Sequence, residues 1–365
     1  MHTLVIKVGT STLTQGSKHL SRKTMLELAR QISALHSENG SIVLVTSGAV
    51  AAGRETLHTQ IPELVLPSKQ MLASVGQVRL MELWRDLFSI YGVAVGQMLL
   101  TRSDFANRQR YLNVRDTLQA LLHHGIIPII NENDAVVMNE NRVGDNDNLS
   151  ALIANMIAAD LLVLLTDQSG LFDSNPSENP HAQLIPEVSS ISDELRKMAG
   201  GAGTSQGTGG MATKVQAATL AMHSGTPTVI TTLSEPDVLI RLKRGEKIGT
   251  FFKATVTRRE SRKRWLLAEA HQGILKLDAG AVEKVCKKGA SLLPVGITSI
   301  QGQFERGSIV QLISPAGQPV GVGLSNYSSK DVGQLIGLQS EHIEDKLGYS
   351  YGHEVVHRDN LVVLQ

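Results

Sequence analysis

The chain has 365 residues, of which 42% are apolar and 19% charged, and its formal net charge is +1. That length predicts two domains rather than one core. The near-neutral balance excludes a global electrostatic pull toward nucleic acid or acidic membranes. Cys286 is the single cysteine, which excludes an intrachain disulfide and fits a reducing compartment. MHTLVIKVG lacks the apolar core of a signal peptide, and no run of about 18 apolar residues marks a bilayer span. A soluble, cytoplasmic protein is expected.

In chain order, strands are predicted at 3–8, 41–46, 93–99, 126–131, 161–166 and 226–231. They are rich in Val, Ile and Leu and hardly alternate, as buried parallel strands do. Helices are predicted between them at 21–37, 48–57, 68–91, 108–123, 147–159, 189–198 and 211–224. The alternation predicts a three-layer α/β/α sandwich with a mostly parallel sheet. The helix at 68–91 carries Met71, Leu72, Val75, Leu80, Leu83 and Leu87 for its own core or for an oligomer interface. Near residue 253 the texture changes to the basic run KATVTRRESRKRW. Short β-like pieces follow (GILKL, SLLPVG, SIVQLI, PVGVGLS, HEVVHR) with no long helical run. The division expected is a first domain over 1–253, a linker over 254–268 and a small β-rich domain over 269–365.

Several polar motifs fall at the carboxyl ends of predicted strands, where open α/β sheets bind ligands. LVIKVGTST (4–12) places Lys7 at a strand end, then Gly9 and three hydroxyl residues. Such a turn suits phosphate oxygens, although a snorkelling lysine in a plain strand-to-loop turn reads the same way. In VTSGAVAAGRE (45–55), Ser47 and Gly48 open a helix whose free N–H groups favour an anion; a simple serine cap is the alternative. INENDAVV and RVGDNDNLSA (142–151) gather short acids and amides. They read as turn formers or as a cradle with acceptors for an ammonium and donors for a carboxylate. A calcium loop is disfavoured, because the EF-hand spacing and its terminal glutamate are missing. In LLVLLTDQSG (161–170), Asp167 suits a ribose, a metal, a lysine or a turn. GAGTSQGTGGMATK (201–214) feeds glycines into a helix with Lys214 in its first turn, an anion cradle or else a flexible linker. It is neither a Walker A loop nor a Rossmann fingerprint. Two lysines, glycine-rich anion sites and aspartates together point to phosphoryl transfer, which depends on positioning and charge stabilisation. No zinc-ligand spacing or Ser-His-Asp order competes.

KVGTS, VTSGAVAAG, INENDAV, VGDNDNLSA, LLTDQSGL and GTGGMATK, in this order, resemble the amino acid kinase family. KVGT at the first motif, where other branches carry a double glycine, is similar to the glutamate 5-kinase branch. The C-terminal part resembles a PUA domain. The resemblance implies the amino acid kinase fold and transfer of phosphoryl from ATP to the side-chain carboxylate of L-glutamate, with Mg²⁺. That reaction is the first step of proline biosynthesis, with feedback inhibition by proline.

By motif, the resemblance assigns Lys7 and Lys214 to the ATP phosphates and the transferring group, and Asp147 to holding both lysines. Ser47, Asp134 and Asn146 are assigned to glutamate, with Asp145 nearby. Thr166, Asp167 and the segment Thr208, Gly209, Gly210, Met211, Ala212, Thr213 and Lys214 are assigned to nucleotide. No metal ligand is assigned. The resemblance also implies a homo-oligomer, a dimer or tetramer. A water-labile acyl phosphate product points to channelling to the next enzyme of the pathway. Two rival readings remain: a family member acting on a different acid, and RNA binding through the C-terminal module and RRESRKRW (258–265), set against a solvated linker.

Overall fold

The computed structural model describes residues 2–58, 66–136, 146–200, 210–257, 260, 263, 266–267 and 270–364. Contacts divide the chain into two units, Met1–Asn107 with Asn113–Arg258, and Arg108–Leu112 with Arg259–Gln365. Most of the basic run at 258–265, including Trp265, lies outside the described residues, so the RNA reading gains no structural footing there.

The first unit begins with β1 (Thr3–Val8), α1 (Thr10–Thr14), α2 (Arg22–Ser37), β2 (Ser41–Thr46), α3 (Ala49–Leu57) and α4 (Leu66–Ser89). Next come β3 (Val95–Leu100), α5 (Arg102–Ala106), α6 (Arg108–His123, of which Arg108–Leu112 count with the second unit), β4 (Ile127–Glu132), α7 (Asn146–Met156) and β5 (Leu161–Thr166). It ends with β6 (Glu187–Val188), α8 (Asp193–Gly200), α9 (Met211–His223), β7 (Thr228–Thr232), α10 (Val238–Lys243) and β8 (Thr250–Phe252). The sheet order is β3-β4-β2-β1-β5-β7-β8-β6. All described pairings are parallel except β7 with β8.

All six predicted strands form. The short β6 and β8 were not predicted; they carry too few residues for a periodic signal. The helix predicted at 189–198 instead starts at Asp193. There the Ser192 hydroxyl accepts from the Leu195 N–H, and Asp193 and Glu194 occupy the first turn. A serine cap with acids behind it overrides the upstream residues.

Alternation along β1 sorts its side chains between two layers. Leu4, Ile6 and Val8 join one buried cluster with residues of α2, α4 and α10. Lys7, one residue out of phase, pairs with Asp147 of α7, the carboxylate that Lys214 of α9 also meets. Chain connections run from β1 toward β2 on one side, while β5 lies on the other, so the topological switch point sits at β1. Register aligns the strand ends there: Val8 pairs with Thr46 and Leu165, and Leu100 with Glu132.

Helices α3 and α4 approach backbone to backbone. A Cβ at Gly76 would lie 1.8 Å from the Ala49 carbonyl oxygen, and one at Gly53 would lie 2.0 Å from that of Leu72. The paired glycines fix how α4 sits against the helix that follows Ser47. Leu72, Leu80 and Leu83 of α4 turn into their own unit, while Met71 and Val78 are exposed.

The second unit contains β9 (Gly273–Leu277), α11 (Ala279–Lys288), β10 (Ile297–Gln301), β11 (Ile309–Ile313), β12 (Pro319–Leu324), α12 (Ser329–Leu335), α13 (Ile343–Leu347) and β13 (Leu361–Val363). Its sheet order is β10-β9-β11-β12-β13. No long helical run is expected here, yet helices of five to ten residues accompany the strands. α11 is a ten-residue helix capped by Asp278, whose side chain accepts from the Ala281 N–H, and closed by left-handed Gly289. Its buried stripe is only Ala281 and Val285 among lysines and glycine, too narrow to stand out. SLLPVG forms a tight turn at Pro294–Gly296 ahead of β10. HEVVHR contributes a single bridge between Val356 and Leu292, and the last strand lies beyond it.

Gly76→Ala should separate α3 from α4. The expected loss is about 2 kcal/mol, or a thermal midpoint lower by roughly 4–8 °C for a unit of this size. Calorimetry checks this; an unchanged midpoint would mean the two helices move apart freely.

Candidate active site

Lys7 ends up buried at the end of β1, with 2% of its surface exposed. Its Nζ lies 2.6 Å from Asp147 Oδ1. Lys214 Nζ lies 3.3 Å from the other carboxylate oxygen, Asp147 Oδ2, and Thr213 Oγ1 is 2.9 Å from the same atom. Asp147 is fully buried in the first turn of α7, where the helix dipole favours an acid. Lys214 and Thr213 lie in the first turn of α9, which Gly210 caps with extended backbone and no side-chain bond. One carboxylate therefore holds two ammonium groups, carried by a strand end and a helix start, and the trio keeps a net positive charge.

Burial pushes the Asp147 carboxyl up, but the charges of Lys7 and Lys214 and hydrogen bonds from Lys7 and Thr213 outweigh it and hold it at about 2. The aspartate is therefore an ionised organiser rather than a proton carrier at neutral pH.

A second network adjoins the first. Asn146 Nδ2 lies 2.8 Å from Ser47 Oγ, 3.0 Å from the Thr46 carbonyl oxygen and 2.9 Å from Asn131 Oδ1. Asn131 Nδ2 donates to Gln77 Oε1 at 2.9 Å, and the Glu132 N–H donates to Asn131 Oδ1. Trp84 Nε1 donates to Thr46 Oγ1. Beside this network a cavity of about 290 Å³ is lined by residues including Gln77, Gln97, Glu132, Asn133 and Asp134.

The structure thus joins Lys7, Asp147, Thr213 and Lys214 in one cluster and Ser47 with Asn146 in another, and puts Asp134 on the cavity wall. Gly210, Met211 and Ala212 open α9 beside Thr213. Thr166 and Asp167 close β5, next to β1 in the sheet, and bond to each other at 2.9 Å. Asp145, Thr208 and Gly209 lie outside the described residues. Sequence reasoning missed Asn131, Gln77, Thr46 and Trp84. Asn131 had a weak sign, an amide at the end of an apolar strand. Gln77 had none, because a single glutamine inside a helical pattern reads as a surface position.

The amino acid kinase family profile matches residues 2–232, and a PUA domain profile matches 273–347. The chain belongs to the amino acid kinase family. Among curated relatives of this family, the glutamate 5-kinase of Shewanella oneidensis is 53% identical over 99% of this chain and 97% of its own. That of Pasteurella multocida is 50% identical over 99% of both. At that identity this family member is a kinase of the glutamate 5-kinase type. Among solved structures, UMP kinase from Bacillus anthracis covers 70% of this chain and 96% of its own at 15% identity, with a TM-score of 0.46, too distant to add to that conclusion.

The folded value of the Asp147 carboxyl lies below its ordinary 3.8, so its contribution to stability is complete above about pH 4 and fades as the pH falls toward about 2. Asp147→Asn leaves two buried ammonium groups without a counter-charge. It should lower the unfolding free energy at neutral pH by about 3 kcal/mol or more and flatten that acid slope. Denaturant melts of both proteins across this pH range check it; parallel slopes would remove Asp147 from the role.

Proposed function

We propose that this kinase transfers the γ-phosphoryl group of ATP to the side-chain carboxylate of L-glutamate, giving ADP and L-glutamyl 5-phosphate as the first step of proline synthesis. The observation that carries this reading is the buried Lys7–Asp147–Lys214 trio, whose Asp147 directly follows Asn146 of the amide network that includes Ser47 and Asn131. An acceptor carboxylate with a reference pKa of about 4.3 is ionised at neutral pH. It needs no general base, which agrees with a site built from lysines and amides. A carboxylate oxygen forms a bond to the γ-phosphorus as the bond from that phosphorus to the ADP oxygen breaks. Lys7 and Lys214 offset charge on the transferring group and on the leaving ADP. Asp147 fixes the two ammonium groups and offsets their mutual repulsion.

A cavity of about 290 Å³ is at the small end of ligand pockets, which run from about 300 to 1,000 Å³. That size suits one amino acid. Asp134 takes the acceptor's ammonium, while Ser47 and Asn146 take a carboxylate. Asp145, next to Asn146 in sequence, joins the acceptor side. Thr166, Asp167 and the segment from Thr208 to Lys214 take the nucleotide, with the free N–H groups at the start of α9 directed to phosphate.

Magnesium supplies charge neutralisation to phosphates. Both oxygens of Asp147 are taken by Lys7, Lys214 and Thr213, and the described residues hold no group of three or more potential ligands. The ion would arrive with the ATP phosphates and supply its charge there.

Proline shares the α-ammonium and α-carboxylate of glutamate and would compete for the 131–147 region as feedback inhibitor. A dimer or tetramer through the kinase domain, hand-over of the acyl phosphate to the next enzyme and a cytoplasmic location complete the proposal. Among the described residues no helix is long and apolar enough to cross a membrane.

A coupled ADP-release assay across glutamate, aspartate, N-acetylglutamate and carbamate tests the acceptor. Glutamate should give the highest kcat/KM, and preference for another acid would replace it as substrate. Asp134→Ala should raise the glutamate KM about tenfold or more with little change for ATP. Equal changes for both substrates would count against an ammonium contact.

A further inference from the structure

Gln77 lies mid-way along α4, directly after Gly76, whose backbone contact with Ala49 leaves the helix no room to slide. Its Oε1 accepts from Asn131 Nδ2 at 2.9 Å. The opposite end of the Asn131 carboxamide is anchored too: Oδ1 accepts from the Glu132 N–H and from Asn146 Nδ2. Asn146 in turn directs its Nδ2 at Ser47 Oγ and the Thr46 carbonyl oxygen. An asparagine carboxamide is almost symmetric in shape, and turning it over exchanges donor for acceptor. Asn131 is 2% exposed, so its Nδ2 would be a buried unpaired donor without Gln77 Oε1. Losing that acceptor gives Asn131 reason to rotate, and rotation releases Asn146.

The second nitrogen donor of this side chain sharpens the point. Gln77 Nε2 is closed off from solvent and meets no hydrogen-bond partner among the described residues. Although Gln77 helps line the cavity, that nitrogen is not open to a ligand there, so its influence runs through Oε1. The same helix supplies a parallel contact two turns on, where Trp84 Nε1 donates to Thr46 Oγ1. Gln77 and Trp84 share one face of α4 and both bond to the carboxyl ends of neighbouring strands, β4 and β2.

We propose that Gln77 is a positioning residue for the acceptor, acting through Asn131 to hold Asn146 and Ser47 in the arrangement that receives the acceptor carboxylate. The proposal rests on the assignment of Ser47 and Asn146 to the acceptor. It confines the effect of Gln77 to the acceptor half of the site, because the relay runs through Asn131, Asn146 and Ser47.

Gln77→Met keeps side-chain length and helix preference but removes the acceptor atom. The variant should raise the acceptor KM about tenfold, while kcat and the ATP KM stay within about twofold. In an Asn146→Ala background, Gln77→Met should add little to the acceptor KM, since the relay is already cut at its far end. An unchanged acceptor KM, parallel increases for acceptor and ATP, or full additivity with Asn146→Ala would each overturn the proposal. Wild-type turnover with glutamate is measured first. Failure there would dismiss glutamate as the acceptor without touching the relay, which is then read with whichever carboxylic acid supports ADP release.

Discussion

Two lysines share one fully buried carboxylate, and much of the first unit serves to make that arrangement tolerable. Each charge alone at this depth would be strongly destabilising. Bound to Asp147, the two ammonium groups are held apart and in place, with an excess positive charge left over. Under the proposed function, that excess is what a phosphate-rich ligand meets. The thermodynamic preference therefore runs two ways: the trio needs Asp147 to fold, and it gains further from an anion laid against it.

Bringing three such groups together takes three different elements in register. Lys7 reaches the trio because it falls on the alternate phase of a strand whose other phase is packed by Leu4, Ile6 and Val8. Asp147 and Lys214 reach it because α7 and α9 both begin at the carboxyl edge of the sheet and pack on each other. The second, amide-rich network uses the opposite layer: α4 is pressed against α3 through Gly53 and Gly76, and so brings Gln77 and Trp84 to the ends of β4 and β2. The trio and the amide network thus meet at α7, which carries both Asp147 and Asn146, while α4 bonds to the amide network. Under the proposed function, the α4 contacts give a physical reason for expecting separable effects on the two substrates.

The parallel strands and the placement of Lys7 and Lys214 at ligand turns were legible in the sequence because both come from local signals. Unbroken Val, Ile and Leu runs mark strands buried on both faces, and glycine or hydroxyl residues directly after them mark ligand turns. Resemblance to a known family then sorted Asp147 from its neighbours, which spacing alone left among three readings. Gln77 and Asn131 were not legible, since their importance arises from a contact between residues far apart in sequence and each looks ordinary in its own element. In the second unit, α11 was lost for the opposite reason: its local signal is real but narrow, with only Ala281 and Val285 buried. The HEVVHR segment looked like a strand because its valines are buried, yet they fill a core position through one bridge rather than a ladder.

The central claim is that the two lysines gathered by Asp147 stabilise the transferring phosphoryl group. The most direct measurement traps the acyl phosphate with hydroxylamine in single-turnover reactions of wild type, Lys7→Met and Lys214→Met, with enzyme in excess over ATP and glutamate saturating. The expected result is hydroxamate from the wild type and rates reduced by about 100-fold or more in each variant, with both substrates still bound. Hydroxamate formation near the wild-type rate in either variant would contradict the claim.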